Sequence, residues 1–132
     1  MKSIVTAGKR KTSVAKAIIS DGKGVVRINS QLLETFMPEI SRMRIQEPLM
    51  LAESVIKKVN INVHVIGGGA QSQTEAARLA IARGIVAYSK DPNLRKTFLE
   101  YDRHLLIADT RRKETRKPND SKARAGRQKS YR

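Results

Sequence analysis

Apolar and polar residues alternate over residues 60–66, with Ile61, Val63 and Val65 on one side and Asn60, Asn62 and His64 on the other. A spacing of two predicts a strand with one buried and one polar face. β-Branched Ile4, Val5 and Thr6 predict an earlier strand over 3–7, and 14–19 reads as a second. Between them, Gly8-Lys9-Arg10-Lys11-Thr12 reads as a basic turn. Asp21-Gly22-Lys23-Gly24 predicts a hairpin turn, because Asp-Gly supports positive φ, and it leads into a third strand over 25–29. Helical spacing follows. Ser30 is placed as the cap of a short helix over 31–36, stopped before Pro38. Pro48 is placed in the first turn of a helix reaching about residue 57, with Leu49, Ala52 and Ile56 on one stripe. Gly67-Gly68-Gly69 ends the alternating strand, and a helix is predicted over 73–88, with Ser72 and Glu75 at capping-box spacing. Its stripe is Ala77, Ile81 and Ile85, while Ala76, Ala80 and Gly84 keep its surface small. Asp91-Pro92 caps one more short helix, to about residue 99. No internal repeat is evident.

The order of three strands, helix, strand and helix describes one small α+β domain, and 132 residues suffice for it. Two Phe, three Tyr and no Trp leave the packing to Ile, Val, Leu and Ala. Charge alters the picture most. Lys and Arg number 27 against 12 Asp and Glu, a net of +15, so the chain repels itself unless a polyanion neutralises it. No apolar run approaches the roughly 20 residues of a membrane span, and the start is too short in apolar residues for a signal peptide. RNA or DNA is therefore the expected partner, with no membrane, in a cytoplasmic setting. Cysteine is absent, which excludes disulfides and thiolate metal sites.

The excess charge is uneven. Residues 1–110 carry 17 basic and 10 acidic residues, a net of +7, and residues 111–132 carry 10 and 2, a net of +8. The last segment is too poor in apolar side chains to offset its ordering entropy by burial. The expectation is a globular body over 1–110 and an extended basic tail over 111–132 that orders on its partner. Its cations are Arg111, Arg112, Lys113, Arg116, Lys117, Lys122, Arg124, Arg127, Lys129 and Arg132. Stretched out, the tail reaches roughly 70–80 Å. Fields are screened within about 8–10 Å in physiological salt, so such a tail threads between phosphates and does not attract them from afar.

Other candidate chemistry is weaker. Lys9, Arg10, Lys11 and Thr12 suit phosphate oxygens. The Gly triplet has two readings, an anion site at a helix start and a sharp turn for close packing; packing is favoured, because neither a P-loop nor a Gly-x-Gly-x-x-Gly pattern is present. Lys16, Arg27 and His64 are candidates for one exposed sheet face, with strand order left open, although paired aromatics for base stacking are missing. His64 and His104 are the only histidines, and no Ser-His-Asp set or metal-ligand cluster stands out. Neither an enzyme nor a cofactor or metal requirement is expected.

Several segments together resemble the small-subunit ribosomal protein nine family. They are Gly67-Gly68-Gly69-Ala70-Gln71-Ser72 with Ala76, Ala80, Ala82, Arg83, Gly84 and Ile85; the opening Gly8-Lys9-Arg10-Lys11-Thr12-Ser13-Val14-Ala15; Asp109-Thr-Arg-Arg-Lys-Glu-Thr-Arg-Lys; and Lys122-Ala-Arg-Ala-Gly-Arg-Gln-Lys-Ser-Tyr-Arg132. The resemblance spans nearly the whole chain, in order. The Ser-Tyr-Arg ending is similar to the archaeal and eukaryotic branch, and the short start to the archaeal one. The resemblance implies a two-layer β-β-β-α-β-α sandwich with a left-handed β-α-β crossover, like the second domain of small-subunit ribosomal protein five, plus the extended C-terminal tail. It implies a structural constituent of the subunit head, with small-subunit rRNA, peptidyl-site tRNA and neighbouring head proteins as partners. On that pattern Lys9, Arg10, Lys11, Thr12, Arg111, Arg112, Lys113, Arg116, Lys117, Lys122, Arg124 and Arg127 meet rRNA, and Lys129, Tyr131 and Arg132 meet tRNA. Tyr131 stands where the bacterial pattern has Lys, and Pro118-Asn119-Asp120 replaces a bacterial Gly. Two rivals remain: a free-standing nucleic-acid chaperone, and an enzyme of the same broad fold as in a kinase superfamily. No phosphate-loop lysine or metal-binding carboxylate pair follows the Gly triplet, which counts against the enzyme.

Overall fold

The computed structural model describes residues 2–118 and 122–124. A five-stranded sheet is built from β1 (Ser3–Arg10), β2 (Ser13–Asp21), β3 (Val26–Ile28), β4 (Gln31–Leu32) and β5 (Val59–Ile66). The helices are α1 (Glu39–Leu51), α2 (Glu53–Ile56), α3 (Ala70–Ser89) and α4 (Pro92–Tyr101), with short 3-10 turns at Leu33–Thr35 and Arg103–Leu105. The protein is thus α+β. Strand order is β1-β2-β5-β3-β4, with β5 parallel to β3 and every other neighbouring pair antiparallel. The parallel pair is joined through β4, α1 and α2.

Alternation decides the two sheet faces. Ala15, Ala17 and Ile19 of β2 stand opposite Val65, Val63 and Ile61 of β5, and all six are buried with Val26 and Ile28 of β3. Helix α3 lies on this face across β1, β2 and β5, with α1 and α4 packed on α3 in turn. Squeezed between sheet and helices, α3 buries Ala76, Ala77, Leu79, Ala80, Ile81, Ala82, Gly84 and Ile85. Phe98 of α4, Ile45 of α1 and Leu105 close the core with no exposure. The small residues of α3 serve close approach, as expected. A Cβ added at Gly8 of β1 would overlap the carbonyl oxygen of Ala76 and lie 2.7 Å from the amide nitrogen of Ala80. Thr6 Oγ1 donates to the carbonyl of Ala80 at 2.8 Å across the same seam.

Several local expectations are corrected. The turn between β1 and β2 is only Lys11-Thr12, because Gly8, Lys9 and Arg10 stay in β1 paired with β2. Asp21-Gly22-Lys23-Gly24 closes no hairpin, because β5 lies between β2 and β3 and pairs with both. Residues 31–36 form a two-residue strand and a 3-10 turn in place of a helix capped by Ser30. Pro48 does not open a helix; it is buried inside α1, which begins nine residues earlier at Glu39. Helix α3 starts at Ala70 with Gly69 as its N-cap and no side-chain cap, so Ser72 and Glu75 form no capping box. Asp91-Pro92 does open α4 as expected: the Asp91 carboxylate accepts from the amide of Asn93 at 2.9 Å.

Candidate nucleic-acid interface

The basic elements converge on one end of the molecule, where β1 turns into β2 beside the chain leaving the last helix. Lys11 takes the turn at φ 53°. Ser13, fully buried, donates its hydroxyl to the carbonyl of Gly67 at 2.8 Å, which ties the hairpin to the Gly triplet. Gly67 and Gly68 have φ of 79° and 65°, and a Cβ on Gly67 would sit 2.6 Å from the carbonyl oxygen of Thr12. Side chains are disfavoured there twice over, by backbone conformation and by space. Packing therefore accounts for the first two glycines. Gly69 has open space around it.

Beside the hairpin, a cleft of about 480 Å³ holds a network of alternating charges. Arg10, with its side chain 12% exposed, donates from Nε to Glu75 at 2.8 Å and reaches Asp109 at 3.4 Å. Arg44 of α1 also meets Glu75, at 3.3 Å. Arg78 of α3 spans Glu47 of α1 and Asp102 after α4, the latter at 3.2 Å. Asp102 also caps the following 3-10 turn by accepting from the amide of His104 at 2.9 Å. Arg83 donates to the carbonyls of Leu106 at 3.0 Å and Ala7 at 3.1 Å. At the departure point, Asp109 receives the Arg111 side chain at 2.7 Å and its amide at 3.0 Å. Those bonds hold the Asp109 carboxyl well below the ordinary carboxylate range, and raise the Arg111 guanidinium in return. The arrangement balances charge and pins the chain from Asp102 to Asp109 against β1 and α3. It offers no nucleophile–base pair, and among the described residues no His, Asp and Glu cluster could hold a metal ion. Sequence reasoning did not find this clamp. Its only trace there is the spacing of acids beside bases, which also fits ordinary surface pairing.

The expected contact residues separate by their surroundings. Lys9, Lys11 and Thr12 are exposed at the hairpin, whereas Arg10 points inward to Glu75 and Asp109. Every residue from 111 to 118 is exposed and belongs to no helix or strand, which places Arg112, Lys113, Arg116 and Lys117 in solvent. Lys122 is also exposed, and Arg124 pairs with Glu114 at 2.7 Å. Arg127, Lys129, Tyr131 and Arg132 lie outside the described residues. Lys16, Arg27 and His64 are exposed on one sheet face, as anticipated: Lys16 stands opposite His64, and Arg27 beside Asn62.

A family model described as ribosomal protein S9/S16 matches residues 8–132. Small ribosomal subunit protein uS9 of Thermoplasma volcanium is 46% identical to the chain over 132 residues, covering all of both proteins. The protein of the same name from Methanothrix thermoacetophila is 43% identical, again over the full length of both.

Proposed function

The chain belongs to the ribosomal protein S9/S16 family of structural, non-enzymatic ribosome components, and from that premise we propose how it serves the small subunit. The body binds small-subunit rRNA in the subunit head beside neighbouring head proteins, in the cytoplasmic ribosome. The tail, residues 111–132, threads through rRNA toward the peptidyl site. There Lys129, Tyr131 and Arg132 contact the tRNA. The left-handed crossover of the family fold belongs to this proposal too, and the connection concerned is the one from β3 through α1 to β5.

One observation carries the reading. Residues 111–118 hold five cations and one acid, are all exposed, and leave from a point fixed by the Arg10–Asp109–Arg111 network. A segment of that composition with nothing to bury gains free energy by neutralising phosphates and releasing their counterions. On this proposal Lys9, Lys11 and Thr12 at the hairpin reach phosphates from the body, beside the tail's root, while Arg10 holds that root in place. The rRNA contacts extend along Arg111, Arg112, Lys113, Arg116, Lys117, Lys122, Arg124 and Arg127.

Magnitude sets the tail's role at the tRNA. A charge-assisted contact is worth about 1.5–3 kcal/mol, or roughly 10- to 150-fold in affinity. Arg132 therefore tunes tRNA holding, while rRNA contacts hold the protein. Deleting Ser130 to Arg132 tests this. The expected result is normal subunit assembly with peptidyl-site tRNA affinity reduced within that range. Unchanged tRNA affinity on subunits that carry the shortened protein refutes the tRNA contact.

A further inference from the structure

Apart from Lys9 at its hairpin end, the open face of the sheet is not used by any contact derived so far. We propose that it is an RNA-binding surface in its own right, one that takes double-helical RNA across the minor groove. The inference rests on the proposed rRNA binding of the body, and it specifies which face binds and in what form the RNA is held.

Register builds the face. Ala7, Lys16 and His64 lie in one row across β1, β2 and β5. Val5, Ile18, Asn62 and Arg27 form the next row, from β1 to β3, and Lys9, Val14 and Ile66 the row on the other side. Neighbouring strands stand about 4.8 Å apart, so the cations Lys16 and Arg27 flank Asn62 and His64 within roughly 10 Å. These four residues line a shallow depression of about 210 Å³ with Ile18 and Ser30.

Charge complementarity points to a polyanion. The only acidic residue in all five strands is Asp21, and its carboxylate turns to the helical side, where it accepts from the Tyr88 hydroxyl. A merely solvated face gains nothing from leaving out acids, since mixed charges are equally soluble. Val5 and Ile66 are each 57% exposed and Val14 and Ile18 about 40%. Exposed β-branched side chains in adjacent rows among cations mark a surface that a partner covers.

The form of the RNA follows from what the face lacks. None of the five strands contains Phe, Tyr or Trp, so unstacked bases find no platform. A-form RNA offers a wide, shallow minor groove with 2′-hydroxyls in the floor and phosphates on the rims. Asn62 and His64 on β5 supply hydrogen-bonding groups, Lys16 and Arg27 on the strands either side of β5 supply charge, and the Val and Ile side chains meet ribose.

The test uses the full chain and compares Lys16→Gln with Arg27→Gln, made together, against a control of Lys57→Gln with Lys58→Gln, two exposed cations next to α2. Both are titrated onto a 16-base-pair RNA duplex and onto single-stranded RNA of equal length, over a salt series, after thermal unfolding has shown both folded. The face variant is expected to lose roughly tenfold or more on the duplex and clearly less on the single strand, with the salt slope reduced by about two contacts. The control is expected to change both RNAs alike and by less. Equal losses on the two RNAs, or a duplex loss no greater than the control's, overturns the inference alone. So does a face variant that binds duplex like the wild type but fails to join assembled subunits, because the face would then be a protein contact. A wild-type chain that binds neither RNA overturns both this inference and the rRNA reading beneath it.

Discussion

Gly8→Ala perturbs the seam on which the candidate interface is built. The added methyl would overlap the Ala76 carbonyl oxygen and lie 2.7 Å from the Ala80 nitrogen and 3.1 Å from Leu79 Cβ. The first two are helix backbone atoms, so no side chain can swing aside; β1 and α3 must part by several tenths of an ångström. Overpacking of this kind costs about 1–3 kcal/mol. Stretching the Thr6–Ala80 hydrogen bond adds about 1 kcal/mol, and the stiffer unfolded chain returns about 0.4–1 kcal/mol. The net expectation is a destabilisation of about 1–3 kcal/mol, or roughly 4–12 °C in Tm for a chain of this size. Thermal unfolding followed by far-ultraviolet circular dichroism measures it. Because the same seam carries Arg10 to Glu75 and Ala7 to Arg83, the variant is also expected to bind rRNA more weakly at temperatures where it stays folded. A Tm within 1–2 °C of wild type would refute the close packing of β1 on α3.

Other predictions follow from the charge network. Arg78→Gln leaves Glu47 and Asp102 without their shared cation and unties α1 from the end of α4; about 1–3 kcal/mol is expected to be lost in urea unfolding, less than for a fully buried pair because both acids are a third exposed. Asp109 has its pKa lowered in the folded state, so its contribution to stability is present above the unfolded value of 3.8 and is lost as pH falls below it. Asp109→Asn is therefore expected to narrow the stability gap to wild type as unfolding is measured from pH 6 down to pH 3, and a gap that widens on acidification would contradict the assignment.

Legibility along the chain followed the strength of local pattern. Strand β5 was plain, because each of Val59, Ile61, Val63 and Val65 is buried and each intervening residue is at least partly exposed. The Asp91-Pro92 start of α4 was plain as well, since cap and first turn are local chemistry. Helix α1 was hidden because its buried positions, Ser41, Ile45 and Pro48, include a hydroxyl and a proline, while Ile40, Met43 and Met50 face outward. Apolar periodicity thus reads the wrong side of it. Proline also lacks the amide that would complete the helix ladder, which makes an interior Pro look like a boundary. The Ser72–Glu75 spacing misled for a tertiary reason: Gly69 opens α3 one turn earlier, and Glu75 is claimed by Arg10 and Arg44 from distant parts of the chain. The clamp of Arg78 and Arg83 depends on three-dimensional proximity that no spacing rule encodes. The shared face of Lys16, Arg27 and His64 was visible as alternation, but only the strand order β1-β2-β5-β3 brings it together.

The central claim is that RNA holds this protein largely through the cations after Thr110. The salt dependence of binding to small-subunit rRNA, compared between the full chain and a chain ending at Thr110, addresses it most directly. Ten cations leave with residues 111–132. At about 0.7–0.9 units of slope for each neutralised phosphate, log affinity against log salt is predicted to flatten by roughly five units or more. Equal slopes for the two chains would contradict the account.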